Sequence, residues 1–243
     1  MILEYHLVTF MLKNNLISIV IPTYEMKGDG LFFLKLNLNG ILCQTHKNIE
    51  VIISDHSIDN NIEQLCVEFS DKLNIKYFRN LLDRGSSSAN MNNGINNSNG
   101  SIIKLLMQDD YLHTPNALEN TLKAFNKNNI NWAVAGCAYG GKDGLVRGNM
   151  FPRYTENILS GNNRIGSPSV LTIKNEEPIL FNNDLIWLMD CDYYKRCYDK
   201  FGQPYIINEH HVFVSQHEYQ LTILLSEERK NKEIELVKTI YSL

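Results

Sequence analysis

The sequence feature that most constrains this fold is a run of apolar and long-stemmed residues that ends in two adjacent carboxylates. The run begins at Ile102 within SIIKLLMQDDYL, and it is followed by Gln108, Asp109 and Asp110 with no basic residue beside them. A continuous run of this kind, with β-branched residues at its start, is typical of a strand buried on both faces of a sheet. Ligands of open α/β sheets gather at the carboxyl ends of the strands, so both carboxylates are expected at a binding edge.

Two interpretations of this carboxylate pair stay open from the stretch alone. Two hard oxygen donors at the end of a buried strand suit Mg²⁺ or Mn²⁺ that already holds the phosphates of a substrate. Alternatively, the stretch is a solvated turn in which Asp109 or Asp110 caps the next segment, and no ligand is bound there.

Alternating strand and helix patterns in the first eighty residues predict an α/β fold. Short β-branched runs predict strands at 16–21, 50–54 and 75–78. Apolar residues at helical spacing predict a helix at 31–45 and a second helix that Asp59 caps and whose apolar face ends at Phe69. This βαβαβ order predicts a mononucleotide-binding half with its loops on one edge.

The remaining chain continues the α/β pattern with less regular spacing. Ser, Asn and Gly dominate 85–100, which predicts at best a weak helix at 91–97, and Thr114 with Pro115 predicts the start of another helix. Little periodicity in 139–166 predicts a long mobile loop over the site. Further strands are expected at 132–137, 169–173 and 205–207, and further helices at 190–201 and 227–241.

Length and charge favour a single enzyme-sized domain without a nucleic-acid surface. The 243 residues suffice for a sizeable core, and the net charge of −4 leaves no basic footprint for nucleic acid or an anionic membrane. We expect an N-terminal extension at 1–15, one domain at 16–225 and a C-terminal helix at 226–243. Within the domain, 16–110 is expected to be a nucleotide-binding half and 111–225 an acceptor half.

The cysteine pattern and the hydropathy of the chain indicate in which cellular compartment the protein is expected. The five cysteines are scattered and form no Cys-X-X-Cys pair, which predicts reduced thiols and a cytoplasmic protein. No run approaches the roughly 18 apolar residues of a membrane span, so we expect no transmembrane segment. Peripheral association with a membrane stays an open alternative.

Polar residues near the predicted strand ends are candidates for chemistry. Asp55 could accept the imide N–H of a uracil or thymine and Tyr24 could lie against the base or ribose, or both are ordinary turn and sheet-edge residues. Asp190 could have a raised pKa and act as a general base, or it is a plain N-cap. Asp192 lies on another helix face, so at most one of these two points into the site. His217 could reach a diphosphate or metal, or it is a surface residue.

Five motifs in this order resemble the family 2 glycosyltransferases of GT-A fold. They are ISIVIPTYE, EVIISDHSID, DRGSSSANMNNGI, LLMQDDYL and LMDCDYYKR, and the resemblance extends from Ser18 to Thr222. It implies a Rossmann-like three-layer α/β/α arrangement around a mixed, mostly parallel sheet. It also implies an inverting enzyme that moves a sugar from a nucleotide-diphosphate sugar, UDP- or dTDP-linked, to a hydroxyl of a glycan or lipid-linked acceptor. The implied setting is the synthesis of surface polysaccharide or another glycan.

The same resemblance implies roles for the matching residues. Asp190 matches the acidic residue that serves as the base in inverting members. Asp110, at the end of an Asp-X-Asp element, and His217, in a late His-X-X-Gln element, match positions that bind Mn²⁺ or Mg²⁺. The implied nucleotide-binding positions are Pro22, Thr23, Tyr24, Glu25, Asp55, Arg84, Asn92 and Asp109.

Several residues depart from the family pattern and leave a second hypothesis open. Met107 stands where many members have the first carboxylate of an acidic triple, which makes a non-catalytic sugar-nucleotide-binding module conceivable. Ser54 and His56 replace the commoner Asp and Gly of the turn after the second strand, and Met189 replaces a Glu before the base. A sugar nucleotidyltransferase and an NAD-binding dehydrogenase fit less well, because no Gly-rich phosphate loop follows the first strand or any other.

Overall fold

The computed structural model describes residues 15–242, so the predicted N-terminal extension lies outside the described residues except for Asn15. Within this range the strands are β1 (Ile17–Thr23), β2 (Ile49–Asp55), β3 (Ile75–Arg79), β4 (Ile102–Leu105), β5 (Tyr111–Leu112), β6 (Trp132–Gly140), β7 (Val146–Met150), β8 (Leu171–Lys174) and β9 (Tyr205–Ser215). The α-helices are α1 (Gly30–Leu42), α2 (Asn61–Phe69), α3 (Ser87–Asn96), α4 (Ala117–Asn128), α5 (Met189–Phe201), α6 (Leu221–Leu224) and α7 (Glu227–Tyr241).

The strands of the described residues form one mixed sheet. Their order is β3-β2-β1-β4-β8-β6-β9-β5, with β7 added to β6. The first part is parallel, because β1 pairs with β2 and β4, and β2 pairs with β3, in the same direction. β8 is antiparallel to both of its neighbours, while β6 and β9 run parallel. Parallel pairings join more residues than antiparallel ones, which confirms a mixed, mostly parallel sheet.

The parallel part of the sheet fixes where a site can form. Every residue of β1 and β2 is buried, so both faces of these strands are covered, as their continuous apolar runs predict. The parallel registers bring the carboxyl ends of β1, β2 and β4 to one edge. The loops that follow these strands therefore collect at that edge, which is where open α/β sheets bind ligands.

The segment between β3 and β4 is helical to a greater extent than the sequence predicts. α3 spans ten residues, and the prediction of a weak helix at 91–97 was wrong in its start. The Ser86 hydroxyl caps α3 by accepting a hydrogen bond from the Ala89 N–H. Gly94 allows α3 to approach β1 closely, since an added Cβ would lie 2.4 Å from Cγ1 of Val20. Packing against the sheet thus stabilises a helix of polar composition.

Three other predicted boundaries were wrong. β9 has 11 residues instead of the expected three at 205–207. The stretch 139–166 is not one long loop, because it contains β7, antiparallel to β6, and a 3₁₀ turn at Ile158–Ser160. α4 begins at Ala117 with Asn116 as its N-cap, and the predicted start at Thr114 and Pro115 lies in the preceding turn.

The charged C-terminal helix packs against the domain through a narrow buried face. Val237 and Glu233 of α7 are buried, whereas Lys232 and Glu228 form an exposed i,i+4 ion pair at 2.6 Å. The predicted helix at 227–241 is confirmed. In residues 15–242, no helix combines the length and the apolar character needed to cross a membrane.

Candidate active site

A cavity of about 600 Å³ opens at the edge where the parallel strands end. Its walls come from the loops after β1, β3 and β4, from the first turn of α5, and from the segment after β9. Nine of the predicted site residues line it: Pro22, Thr23, Tyr24, Glu25, Arg84, Asp109, Asp110, Asp190 and His217. Residues of four of the five motifs, together with His217 of the late His-X-X-Gln element, therefore meet around one space.

Asp55 does not line this cavity, although it was predicted to contact a nucleotide base. It is fully buried at the end of β2, and donors of the protein already occupy its carboxylate. The Thr23 hydroxyl (3.2 Å) and the Ser57 N–H (2.9 Å) donate to Oδ1, and the Tyr77 hydroxyl (2.7 Å) donates to Oδ2. Arg79 lies 3.7 Å from the same carboxylate. In this arrangement Asp55 positions Thr23 from behind, and both of its oxygens already accept hydrogen bonds from donors of the protein.

Asn92 also lies outside the cavity, and a neighbour on α3 takes its place. The Asn92 amide exchanges two hydrogen bonds with the backbone of Phe181, at 2.9 and 2.7 Å. Asn90 lines the cavity instead, where its Nδ2 donates to the Thr23 carbonyl (3.1 Å) and its Oδ1 accepts from the Ser54 hydroxyl (2.6 Å). Residues two apart on a helix face different directions. The predicted helix began at Met91, after Asn90, so the sequence did not predict that Asn90 and Asn92 point different ways.

One wall of the cavity offers an aromatic ring and a guanidinium group. Tyr24 is 43% exposed, and its backbone N–H donates to Oε1 of Gln108 at 3.0 Å. Gln108 in turn donates to the Gly30 carbonyl at 2.9 Å, which ties the loop after β1 to the loop after β4. Burial, with the charges of Asp109 and nearby Glu25, raises the pKa of Tyr24. Arg84 is exposed, and its Nε donates to the His56 carbonyl at 3.0 Å.

The two carboxylates after β4 have different partners. Asp110 is buried, and its carboxylate accepts hydrogen bonds from the Ser215 N–H (3.0 Å) and the Ser167 hydroxyl (3.1 Å). Asp109 contacts Nε2 of His217 at 2.7 Å. Because Nδ1 of His217 accepts from the Tyr219 N–H at 3.2 Å, Nε2 carries the proton and donates to Asp109. The solvated-turn interpretation therefore does not describe this pair.

Burial dominates the electrostatics behind the acidic pair. Desolvation and the negative charge of Asp109 raise the pKa of Asp110 to about 8. Lys104 of β4 is buried on the same side, where its Nζ donates to the backbone carbonyl of Ser169. Burial lowers the pKa of Lys104 to about 7, although the charge of Asp110 acts in the opposite direction. A low-dielectric surrounding thus opposes charge on both groups.

The donor set fits a divalent cation only if a substrate completes its coordination. Within residues 15–242, no group of three or more His, Cys, Asp or Glu side chains is arranged to enclose a metal ion. Asp109, Asp110 and His217 nevertheless line one cavity, in which the carboxylates supply oxygen donors. His217 would have to exchange its bond to Asp109 or to the Tyr219 N–H for a bond to the cation. A cation beside Asp110 would also favour its ionised form, which burial disfavours. Open sites of this kind are typical of Mg²⁺ or Mn²⁺ that shares a substrate's phosphates.

Asp190 lies in the first turn of α5, with its carboxylate held from two sides. The Asn163 amide donates to Oδ2 at 2.7 Å, and the Cys191 N–H donates to Oδ1 at 2.7 Å. Burial raises the pKa of Asp190 to about 6, while these hydrogen bonds act to lower it. Asp190 is not an N-cap, because that position belongs to Leu188, whose side chain makes no capping bond.

Asp192 points away from the cavity, as the spacing of the two residues predicts. Its carboxylate contacts the Arg196 guanidinium at 2.6 Å and accepts a hydrogen bond from the Tyr241 hydroxyl at 2.8 Å. Asp192 therefore joins α5 to α7, and only Asp190 is available to a substrate.

The model of glycosyl transferase family 2 matches residues 18–172, which is more than half of the chain. The chain belongs to glycosyl transferase family 2. An uncharacterized glycosyltransferase of Rickettsia conorii is 35% identical over 116 residues, which are 47% of this chain and 18% of the relative. A GalNAc(5)-diNAcBac-PP-undecaprenol beta-1,3-glucosyltransferase of Campylobacter jejuni is 27% identical over 40% of this chain and 30% of its own length. The aligned part is thus less than a third of either relative.

Solved structures with the same architecture are glycosyltransferases. Staphylococcus aureus TarS 1-349 in complex with UDP-GlcNAc superposes with a TM-score of 0.72 at 17% identity, over 92% of this chain and 65% of TarS. Mannosyltransferase PcManGT from Pyrobaculum calidifontis, in complex with GDP-Man and Mn²⁺, gives a TM-score of 0.60 at 15% identity, over 82% of this chain and 56% of that one. At such identities the likeness concerns the fold alone, and it confirms the predicted GT-A fold.

The family motifs do not identify every residue that shapes the site of this family 2 chain. Asn163 holds Asp190, and Trp187, Asn90 and Ser167 line the cavity. Trp187 stood in an apolar stretch beside the predicted base, which was a usable signal. Asn163 lies in a stretch without periodicity in an asparagine-rich chain, so nothing in the sequence distinguished it.

Proposed function

We propose that this family 2 chain is an inverting glycosyltransferase that moves a sugar from a nucleotide-diphosphate sugar to a hydroxyl group. One observation carries the proposal, which is that a single cavity is lined by Tyr24 and Arg84, by the acidic pair, and by Asp190. Sugar transfer needs a nucleotide platform, a place for the departing diphosphate and a base for the acceptor. These three requirements correspond to the three groups of residues.

UDP or dTDP is the donor nucleotide in this proposal. The exposed Tyr24 ring offers a face to the base or ribose, and Arg84 suits the phosphate oxygens. Because Asp55 is already engaged by three donors, the base contact falls to Tyr24 and its neighbours in the loop after β1. TarS, which was solved with UDP-GlcNAc and with UDP, supports a uridine nucleotide, whereas PcManGT with GDP-Man shows that the fold also accepts guanosine.

Asp190 acts as the general base. With a pKa raised to about 6, its carboxylate is ionised at neutral pH and is still basic enough to accept a proton. It takes the proton of the acceptor hydroxyl as the oxygen attacks the anomeric carbon from the face opposite the diphosphate. The sugar then develops oxocarbenium character, as in glycoside hydrolysis. Asn163 keeps the carboxylate oriented by donating to one of its oxygens.

A divalent cation, Mn²⁺ or Mg²⁺, is the proposed cofactor. Asp110 would hold it, with Asp109 and His217 beside it. When bound, the cation neutralises negative charge on the leaving diphosphate. The chemistry of the donor set supports this assignment, and so does PcManGT, a protein of the same fold that was solved with Mn²⁺.

The acceptor and setting are proposed from the relatives. The Campylobacter jejuni relative is named for an undecaprenol-linked glycan, which supports a glycan or lipid-linked sugar as the acceptor and surface polysaccharide or glycan synthesis as the role. All five cysteines are free, in keeping with a cytoplasmic protein, and a lipid-linked acceptor would bring it to a membrane surface.

The decisive experiment compares turnover of UDP-, dTDP- and GDP-sugars, with and without Mn²⁺, in the wild-type chain and in Asp190→Asn. We expect the variant to lose on the order of 10²–10⁴ in rate, because the amide cannot accept the proton. UDP affinity should stay nearly unchanged, since Asp190 does not contact the nucleotide in the proposed complex. Asp184→Asn, on the exposed surface of the preceding loop, is the matched control. Full turnover by Asp190→Asn would show that the base is a different residue.

A non-catalytic sugar-nucleotide-binding module is the alternative. Met107 lines the cavity at the position where many members of the family carry a carboxylate, so one metal donor is missing. This alternative predicts that UDP with Mn²⁺ raises the melting temperature while no sugar donor is turned over. The same donor screen therefore separates the two functions.

A further inference from the structure

The N-terminus of α5 is held by a carboxylate from a different helix. Glu233 of α7 is 1% exposed, and it accepts hydrogen bonds from the backbone N–H groups of Ile186 (3.2 Å), Trp187 (2.8 Å) and Leu188 (3.0 Å). The Nε of Arg229 also donates to it at 3.3 Å. Ile186 and Trp187 precede α5 and Leu188 is its N-cap, so Glu233 satisfies the backbone N–H groups of the segment that leads into the helix, where the N-cap side chain makes no capping bond.

The backbone that Glu233 holds is part of the cavity wall. Ile186, Trp187, Met189 and Asp190 all line the cavity, and Asp190 follows the last of the held N–H groups by two residues. The other side of this wall is equally close-packed, because a Cβ added to Gly161 would lie 2.7 Å from the Trp187 ring. A shift of the segment 186–188 would therefore move the ring and the base together.

A second contact from α7 acts on the same helix. The Tyr241 hydroxyl donates to Asp192 at 2.8 Å, and Asp192 also pairs with Arg196. Asp192 and Asp190 lie on different faces of α5, so this contact fixes the rotation that turns Asp190 towards the cavity. α7 thus holds α5 through Glu233 and again through Tyr241.

We propose that Glu233 is a positioning residue for Asp190, so that α7 contributes to the geometry of the active site. Three N–H groups bonded to one buried carboxylate form a charge-assisted set, and its loss would leave buried donors unpaired. A displacement of about 1 Å in a reacting group can cost about 100-fold in rate, so a small relaxation here reaches the chemistry. The catalytic half of the inference rests on the proposed function, whereas the structural half does not.

The structural half is tested by hydrogen exchange in Glu233→Gln. The carboxamide keeps the shape but removes the negative charge, so the hydrogen bonds from the three N–H groups lose their charge assistance and become weaker. We expect the amides of 186–188 to exchange faster in this variant. Glu228→Gln removes the same charge from an exposed position of the same helix, and it should leave exchange unchanged. Equal exchange in wild type and Glu233→Gln would overturn the inference.

The catalytic half is tested by separating kcat from nucleotide affinity. In Glu233→Gln we expect kcat to fall about 10-fold or more, while the Kd of UDP stays within about twofold, because the residues proposed to bind the nucleotide lie in the loops after β1, β3 and β4. If Glu233 only stabilised the fold, the substitution would not lower kcat while leaving the Kd of UDP unchanged. Unchanged kcat in a folded variant whose amides exchange faster would refute positioning. A wild-type chain that turns over no donor refutes the proposed function instead, and the exchange result then decides the inference alone.

Discussion

The Asp190 carboxylate is subject to two opposing influences. Burial raises its pKa, and hydrogen bonds from Cys191 and Asn163 lower it, which leaves a value of about 6. The sequence indicated Asp190 through its place at a helix start beside apolar residues. It could not indicate Asn163, which lies 27 residues earlier, since only the folded chain brings the amide to the carboxylate.

The pH dependence of the reaction follows from this balance. Protonated Asp190 cannot act as a base, so we expect kcat/KM to fall about tenfold per pH unit below pH 6. Asn163→Ala removes a donor that favours the ionised form, so the acid limb should move to higher pH. pH–rate profiles of both proteins measure the change. Asn162→Ala, in the same loop and exposed, is the control. A limb that stays in place or moves to lower pH would show that Asn163 does not tune the base.

Whole elements were predictable where a buried run is continuous and unpredictable where packing decides. β1 and β2 are uniformly buried, and their β-branched runs predicted them. β9 was truncated in the prediction because the polar run Asn208 to His211 interrupts its apolar pattern. α3 has six buried residues despite its polar composition, and contact with β1 supplies the stability that its helix propensity lacks.

The close approach of α3 to β1 gives a prediction at the scale of elements. In Gly94→Ala, overpacking should cost about 1–3 kcal/mol, because the new Cβ would lie 2.4 Å from Cγ1 of Val20. Ala favours a helix over Gly by roughly 1 kcal/mol, so we expect a net destabilisation of up to about 2 kcal/mol. Urea unfolding measures it. In the double variant with Val20→Ala the clash is absent, so the two changes should be less than additive. If the two changes in unfolding free energy were strictly additive, α3 would be able to move away from β1 without cost and the added Cβ would not clash with Val20.

At the scale of the whole molecule, it was predictable that the motifs would meet at one edge of the sheet. The hydrogen-bond partners of the individual side chains were not predictable. Parallel strands end at one edge, so the loops after β1, β2 and β4 had to meet there. The sequence spacing gave no indication that Tyr77 and Thr23 would donate hydrogen bonds to the Asp55 carboxylate. It also did not indicate that Glu233 would accept one from the N-cap residue of α5. These contacts join residues that the chain separates widely, and their geometry depends on how the layers pack.

The cavity is lined by more carboxyl groups than cationic side chains, and this gives the last prediction. UDP with Mn²⁺ at about 100 times the Kd should stabilise the fold by about 2.7 kcal/mol. For a chain of this size that is a rise in melting temperature of roughly 5–10 °C. Asp110→Asn should lose the part of the rise that Mn²⁺ adds and keep the part due to UDP.

The shift on adding ligand is the quantity to compare, because Asp110→Asn also removes a buried group whose pKa burial raises to about 8. That change alone can stabilise the variant without ligand, so absolute melting temperatures would mislead. EDTA should reduce the wild-type shift to that of UDP alone. A full Mn²⁺-dependent shift in Asp110→Asn would place the cation elsewhere in the cavity. No Mn²⁺ dependence in the wild type would mean that Arg84, exposed at the rim, balances the diphosphate charge in its place.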